Sequence, residues 1–304
     1  MRNAVRLCAL VSLASLVATG CGKKSSSSED SSYKDIAKTF DDSEPPPEKR
    51  QPVGDADLSK LSEADKTRFE RLVDNLPSPC GKAHSLRTSR NNDESCVKAR
   101  FAIDFVLSLL ADGANDDELQ KMFAQRYQSE DPRRGFRLDD SVPHSGPGDA
   151  QVVLVEFFDF GCPACKEFDP ELKETLAAFP RDVVLYYKQY PLPIHEESMG
   201  AAQAALAAHK QGKYHEMHGL LFENGHAHKK SDLDKYAGQL GLDMAKFEAD
   251  YKAVEPQVNA DKKEGETAEV HSTPTLFING VRYDGPGWSK YLKMWIEEAL
   301  AVSR

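Results

Sequence analysis

The feature that most constrains this chain is a pair of cysteines placed where a buried strand gives way to a helix. Gln151 to Phe158 is a near-continuous apolar run, as expected of a strand covered on both faces, and helix signals begin directly after it. Between them stands Phe160-Gly161-Cys162-Pro163-Ala164-Cys165. A sulfur at a helix amino terminus meets free backbone N–H groups and the positive end of the helix dipole, and both favour thiolate over thiol. Cys162 is therefore the expected low-pKa nucleophile. Cys165, one turn in and more buried, is expected to stay protonated until it attacks a mixed disulfide. Pro163 suits the first helical turn, where a missing N–H costs nothing.

Zinc is the main rival for any CxxC, but a structural zinc site needs four ligands, and no second CxxC or CxxH stands elsewhere in the chain. A plain structural bridge is the other alternative. His195, His209, His215, His218, His226 and His228 also invite a metal, yet His215-Glu216-Met217-His218 lacks HExxH spacing, and these side chains read as surface or packing residues. The expectation is no metal and no dissociable cofactor. With 39 Lys plus Arg against 49 Asp plus Glu and a formal charge of -10, the chain also lacks the basic excess that a phosphate backbone demands, so nucleic acid is not an expected partner.

The amino terminus reads as an address. Arg2 and Arg6 precede an apolar run from Leu7 to Ala18 that suits a signal-peptide core and is too short to span a bilayer. The run ends Ala18-Thr19-Gly20-Cys21, which resembles a bacterial lipoprotein signal, with Cys21 lipidated as the mature amino terminus. Ordinary secretion with cleavage nearby is the alternative, and either route exports the protein. Residues 1–20 are thus read as signal peptide. Residues 21–57, with the Ser25 to Ser28 run and Pro45-Pro46-Pro47, are read as a disordered tether unable to form a core.

Residues 58–130 read as a small helical domain and 131–150 as a connector. Ser62 and Asp65 are spaced as a capping pair ahead of Phe69, Leu72, Val73 and Leu76. A second helix is expected from roughly Asp93 to Gly113, with a third starting at Asn115 and burying Leu119, Met122, Phe123 and Tyr127. Cys80 and Cys96, 16 positions apart, read in an oxidising compartment as a structural disulfide. A competing view comes from Ser78-Pro79-Cys80-Gly81, Leu110-Ala111-Asp112-Gly113 and Asp117-Glu118 leading to Phe123 and Arg126-Tyr127, which partly resemble the helical thiol domain of the CcmH family. That family is associated with reducing apocytochrome c, and its cysteines form a tight CxxC, unlike Cys80 and Cys96.

Residues 151–304 carry the closer resemblance, which begins at about residue 135. Val155 through Cys165 resembles the active-site segment of the DsbA-like thioredoxin superfamily. Tyr187-Lys188-Gln189-Tyr190-Pro191-Leu192-Pro193 with His195, the stretch from Ala201 to Phe222, and Ser272-Thr273-Pro274-Thr275-Leu276-Phe277-Ile278-Asn279-Gly280 resemble the second core strand, the helical insertion and the cis-proline loop. A CPxC followed by a TPT loop about 110 residues later is a specific combination. The resemblance implies an α/β thioredoxin fold with an inserted helical block, here preceded by a small all-α domain. It further implies that Thr273-Pro274 is cis and packs against the CxxC, leaving the Thr273 backbone to pair with an extended client.

Glu156 interrupts an apolar strand and Lys188 sits on the neighbouring one, at positions where related enzymes carry a buried acid and its basic partner near the second sulfur. Such an acid could take the proton of Cys165. At position 164 the family's strong oxidants often carry histidine, so Ala164 implies a less oxidising pair. The C-terminal helix, Trp288 to Val302, is expected to lay Trp288, Tyr291, Leu292, Trp295, Ile296 and Ala299 against the sheet. Together these readings describe a membrane-anchored thiol-disulfide oxidoreductase of the bacterial envelope, facing the periplasm or extracytoplasmic space. Its partners would be exported client proteins with cysteines and a membrane redox protein that resets the pair. The alternative is a lipid-anchored binding or assembly module, for example for cytochrome c maturation, whose CxxC is incidental.

Overall fold

The computed structural model describes residues 51–287 and 289–303. The expected signal peptide, lipidation at Cys21 and all but the last seven residues of the tether lie outside these residues. Residues 51–57 pack onto the helical module: Val53 is buried, and the carbonyls of Gln51 and Pro52 accept hydrogen bonds from Arg87 and Asn91.

Among the described residues four helices come first, α1 (Glu63–Asn75), α2 (Leu86–Asn92), α3 (Lys98–Ala111) and α4 (Asp116–Tyr127). The caps follow the sequence signals. Ser62 accepts from the Asp65 N–H at the start of α1, and Asn115 and Glu118 form a reciprocal capping box at the start of α4. The middle of the module departs from expectation. The segment from Leu86 to Asn92 is a helix of its own, capped by Ser85, and the chain turns through Asp93 to Cys96 before α3 begins. Cys96 therefore precedes α3 instead of lying in its first turn. It is disulfide-bonded to Cys80, with the Cα atoms 5.8 Å apart. Phe69, Leu72, Phe105, Val106, Leu109 and Phe123 fill the module's core.

The rest is an α/β unit in chain order β1 (His144–Ser145), β2 (Val152–Phe158), α5 (Pro163–Ala178), β3 (Val183–Gln189), α6 (Ser198–His209), α7 (Tyr214–Glu223), α8 (Lys230–Gln239), α9 (Met244–Ala253), α10 (Glu255–Thr267), β4 (Thr275–Ile278), β5 (Val281–Arg282) and α11 (Ser289–Val302). The five strands form one mixed sheet in the order β1-β3-β2-β4-β5, with β2 and β3 parallel and the other pairs antiparallel. This is the expected α/β arrangement, with the helical block α6–α10 inserted between β3 and β4. The stretch read as a connector supplies the edge strand β1.

Alternation along β2 separates two cores. Val152, Leu154 and Phe158 face one layer together with Phe168, Leu172 and Met217, whereas Val155 and Phe157 face the other with Val142, Val184, Tyr190 and Phe277. Helix α11 serves two neighbours. Leu292 and Ile296 join the first sheet core, while Tyr291 enters the helical module's core and donates to Asp112 at 2.5 Å. The apolar face expected to lie wholly against the sheet is thus divided, and Trp288 lies outside the described residues. Arg126 of α4 strengthens the junction: it pairs with Glu298 at 2.7 Å and lies over the rings of Phe105 and Trp295. Among the described residues no helix is long and apolar enough to cross a membrane.

Candidate active site

The turn from β2 to α5 brings Cys162 to the N-cap of the helix, with Pro163 as the first helical residue. Both cysteines of the CPAC segment are free thiols. Cys165 is fully buried, and Cys162 retains 8% of its surface. Across from them the Thr273–Pro274 peptide is cis, and the Cys162 Sγ lies 3.3 Å from the Thr273 carbonyl oxygen. The loop preceding β4 is held there by register: Glu156 pairs with Leu276 and Phe157 with Thr275, so the start of β4 lies level with the end of β2.

The two sulfurs are driven apart in acidity. Cys162 is lowered to about 5, first by a hydrogen bond from the Cys165 thiol, then by further donors against the opposing cost of burial; these include Thr273 and the backbone N–H groups of Cys165 and Ala164. Ala164, whose side chain offers no donor, thus acts through its backbone. The Thr273 hydroxyl is buried and makes no hydrogen bond of ordinary geometry among the described residues. Cys165 is pushed far above an ordinary thiol, chiefly by burial, then by its hydrogen bond to Cys162 and the charge of Glu156.

Glu156 lies on the β2 face that looks toward Cys165. It is buried, and desolvation, with a lesser contribution from the Asp169 carboxylate, raises it to about 8. Lys188 is not its partner, which corrects the sequence reading. The parallel register aligns Glu156 with Tyr187 and Phe157 with Lys188, so Lys188 points to the opposite side of the sheet. There it pairs with Asp261 at 3.1 Å and Glu264 at 2.7 Å on α10. Adjacency of the two strands suggested the pair, and the parity of their register separates it.

One further group escaped the sequence reading. Asp159, three residues before Cys162, is buried and bound by His195 at 2.7 Å and by Ser198. An acid inside the aromatic run Phe157-Phe158-Asp159-Phe160 was a visible signal. His218, read as packing, is buried among Phe158, Phe160, Tyr187 and Phe222, and burial lowers it to about 3. Among the described residues no cluster of His, Cys, Asp and Glu is arranged to hold a metal.

Grooves lie on both sides of the dithiol. One of about 460 Å³ is lined by Ala164, Phe168, Pro274, Leu276 and Tyr283, and one of about 390 Å³ by Cys162, Pro163, Lys166 and His226. A polarised dithiol at a helix start, facing a cis-proline loop between two grooves, can exchange a disulfide with an extended chain laid across it.

A family match agrees with this architecture. A family model described as thioredoxin matches residues 139–298, just over half of the sequence, and the chain belongs to the thioredoxin family. Over 146 residues it is 36% identical to the Na(+)/H(+) antiporter NhaA 1 of Mycolicibacterium vanbaalenii, a match covering 46% of this chain and 24% of that protein. The chain therefore spans about a quarter of the length of the curated relatives it matches. Among solved structures it is similar to a thioredoxin-like oxidoreductase from Silicibacter pomeroyi DSS-3, with 29% identity, a TM-score of 0.48, and coverage of 53% of this chain and 94% of that one. The catalytic domain of Proteus mirabilis ScsC gives 25% identity, a TM-score of 0.48, and coverage of 54% and 91%.

Proposed function

We propose that this protein is an exported, membrane-anchored thiol-disulfide oxidoreductase acting through Cys162 and Cys165 on cysteines of envelope proteins. The observation that carries the reading is a pair of free sulfurs at the start of α5, Cys162 at the N-cap 3.3 Å from the carbonyl of the cis Thr273–Pro274 loop and Cys165 fully buried one turn on. In the oxidising direction a client thiolate attacks Sγ of Cys162 in the Cys162–Cys165 disulfide, and Cys165 leaves as a thiolate that takes a proton from Glu156. A second client thiolate then attacks the client sulfur of the mixed disulfide and releases Cys162 as thiolate. In the reducing direction the Cys162 thiolate attacks a client disulfide, Glu156 accepts the Cys165 proton, and Cys165 attacks Cys162 to expel the reduced client. Electrons balance as one disulfide gained for one lost, and a membrane redox partner resets the pair.

The carboxylate, the dithiol and the Thr273–Pro274 loop are the working parts of this reading, with Pro163 and Ala164 tuning the first sulfur. Lipidation at Cys21 supplies the anchor. The deciding experiment is insulin reduction and refolding of a reduced client by the wild type and Cys162→Ala. Loss of both activities in the variant supports catalysis at this site, and unchanged activity sinks it in favour of a binding module.

A further inference from the structure

One residue holds both peptide groups that precede the nucleophile. The Asp159 carbonyl accepts the Cys162 N–H at 3.0 Å, and its side-chain Oδ1 accepts the Gly161 N–H at 2.8 Å. The same oxygen takes the Ser198 hydroxyl, and Oδ2 takes the Leu192 N–H at 2.9 Å and Nδ1 of His195 at 2.7 Å. A buried carboxylate is tolerable with this many donors. Because a carboxylate accepts, the imidazole carries its proton on Nδ1.

Packing says independently that this arrangement is built. A Cβ on Gly161 would lie 2.6 Å from Ser198 Oγ and 2.8 Å from His195 Cβ, so the chain before Cys162 passes too close to these residues for any side chain there. The hydroxyl and the imidazole bind opposite oxygens of one carboxylate, so Ser198 is a support here and not a nucleophile activated by histidine. His195, whose side chain is 22% exposed, reaches from solvent to a carboxylate that is 0% exposed.

We propose that His195 is a positioning residue for the dithiol: through Asp159 it fixes the Phe160–Gly161 shoulder and with it the aim of the helix start at the Cys162 sulfur. The proposal rests on the dithiol reading above. Without the imidazole, Asp159 loses its solvent-side donor and the shoulder loosens. The N–H groups of Ala164 and Cys165 then meet the thiolate less well, so the thiolate is less favoured.

The test uses the full chain in its reduced state, following thiolate absorbance against pH and the equilibrium with glutathione, with circular dichroism as a check of folding. His195→Ala should raise the Cys162 midpoint by about one unit and shift the glutathione equilibrium at pH 7 about tenfold toward the disulfide. His195→Asn places an amide N–H where Nδ1 stood and should recover most of the wild-type values. His195→Gln, whose amide reaches the Nε2 position, should not, and the Asn–Gln contrast decides the matter if the alanine variant does not fold. Wild-type values in His195→Ala, or indistinguishable Asn and Gln variants, overturn the proposal. A wild-type Cys162 that titrates as an ordinary cysteine would instead overturn the dithiol reading, which keeps the two failures apart.

Discussion

Glu156 and Lys188 stand on adjacent parallel strands and face opposite sides of the sheet, Glu156 toward the dithiol and Lys188 toward Asp261 and Glu264 on α10. Their substitutions should therefore fail in different ways. Glu156→Gln removes the group that exchanges a proton with Cys165, and resolution of the mixed disulfide should slow about a hundredfold with the fold intact. Lys188→Met leaves buried Asp261 with only the longer Arg137 contact at 3.5 Å and the Gln189 N–H, and should cost about 3 kcal/mol of stability with little change in exchange rate per folded molecule. Rapid-mixing kinetics with a peptide disulfide and urea unfolding separate the two. An equal kinetic defect in Lys188→Met would contradict the assignment.

Cys162 ionises near 5 in the reduced protein instead of at the 9.0 of an ordinary thiol. A depressed acid stabilises the folded reduced form fully above the ordinary value and loses that contribution as pH falls through the folded one. The disulfide form has no such ionisation. Reduction should thus take up one proton per two electrons between pH 5 and 9, a slope of about 30 mV per pH unit, and steepen to about 60 below pH 5. Potentials measured against glutathione across this range check the break, and a steep slope persisting to pH 8 would show that the sulfur is not acidic.

The linkage of Glu156 has the opposite sign. Burial raises it from 4.5 to about 8, so the folded state holds the proton more tightly than the unfolded one. Its contribution is fully present below the unfolded value and is lost as pH rises toward 8, a decline on the order of 4 kcal/mol. Glu156→Gln cannot ionise and escapes this loss. Urea unfolding of the reduced protein should show the variant gaining on the wild type from pH 4.5 to 8 and no further above. A constant difference across that window would mean that Glu156 is hydrated.

Some of this could be read from residues alone, and the reasons differ by element. The cis Thr273-Pro274 loop was legible only through the family resemblance, whereas the buried strand and the CPAC helix start were legible because each rests on local chemistry, an apolar run and a proline at the first helical turn. The caps Ser62 and Asn115 were legible for the same reason. The helix from Leu86 to Asn92 was not, since its seven residues, LRTSRNN, carry no apolar periodicity and only the Ser85 cap marks it. Nor was the partner of Lys188, which depends on the register of β3 and on α10, more than 60 residues away in sequence. Asp159 and His195 were each visible, but only the folded chain brings them together.

The Cys80–Cys96 bond closes a loop of 16 positions around α2 in the helical module. Pocket walls near it come from Ser89, Arg100 and Ala301, whereas the grooves beside the CPAC dithiol are lined by other residues. The two cysteine pairs are therefore expected to have separable effects. The loop-closure model assigns the bond about 3 kcal/mol through the entropy of the unfolded chain. The double variant Cys80→Ser with Cys96→Ser should therefore unfold at lower urea while insulin reduction by the folded fraction stays within about twofold of wild type. The kinetic half of the test is the discriminating one, because any structural bond would give the first result. If catalysis collapses in a variant that circular dichroism shows to be folded, the helical module takes part in electron transfer and is more than a braced attachment to α11.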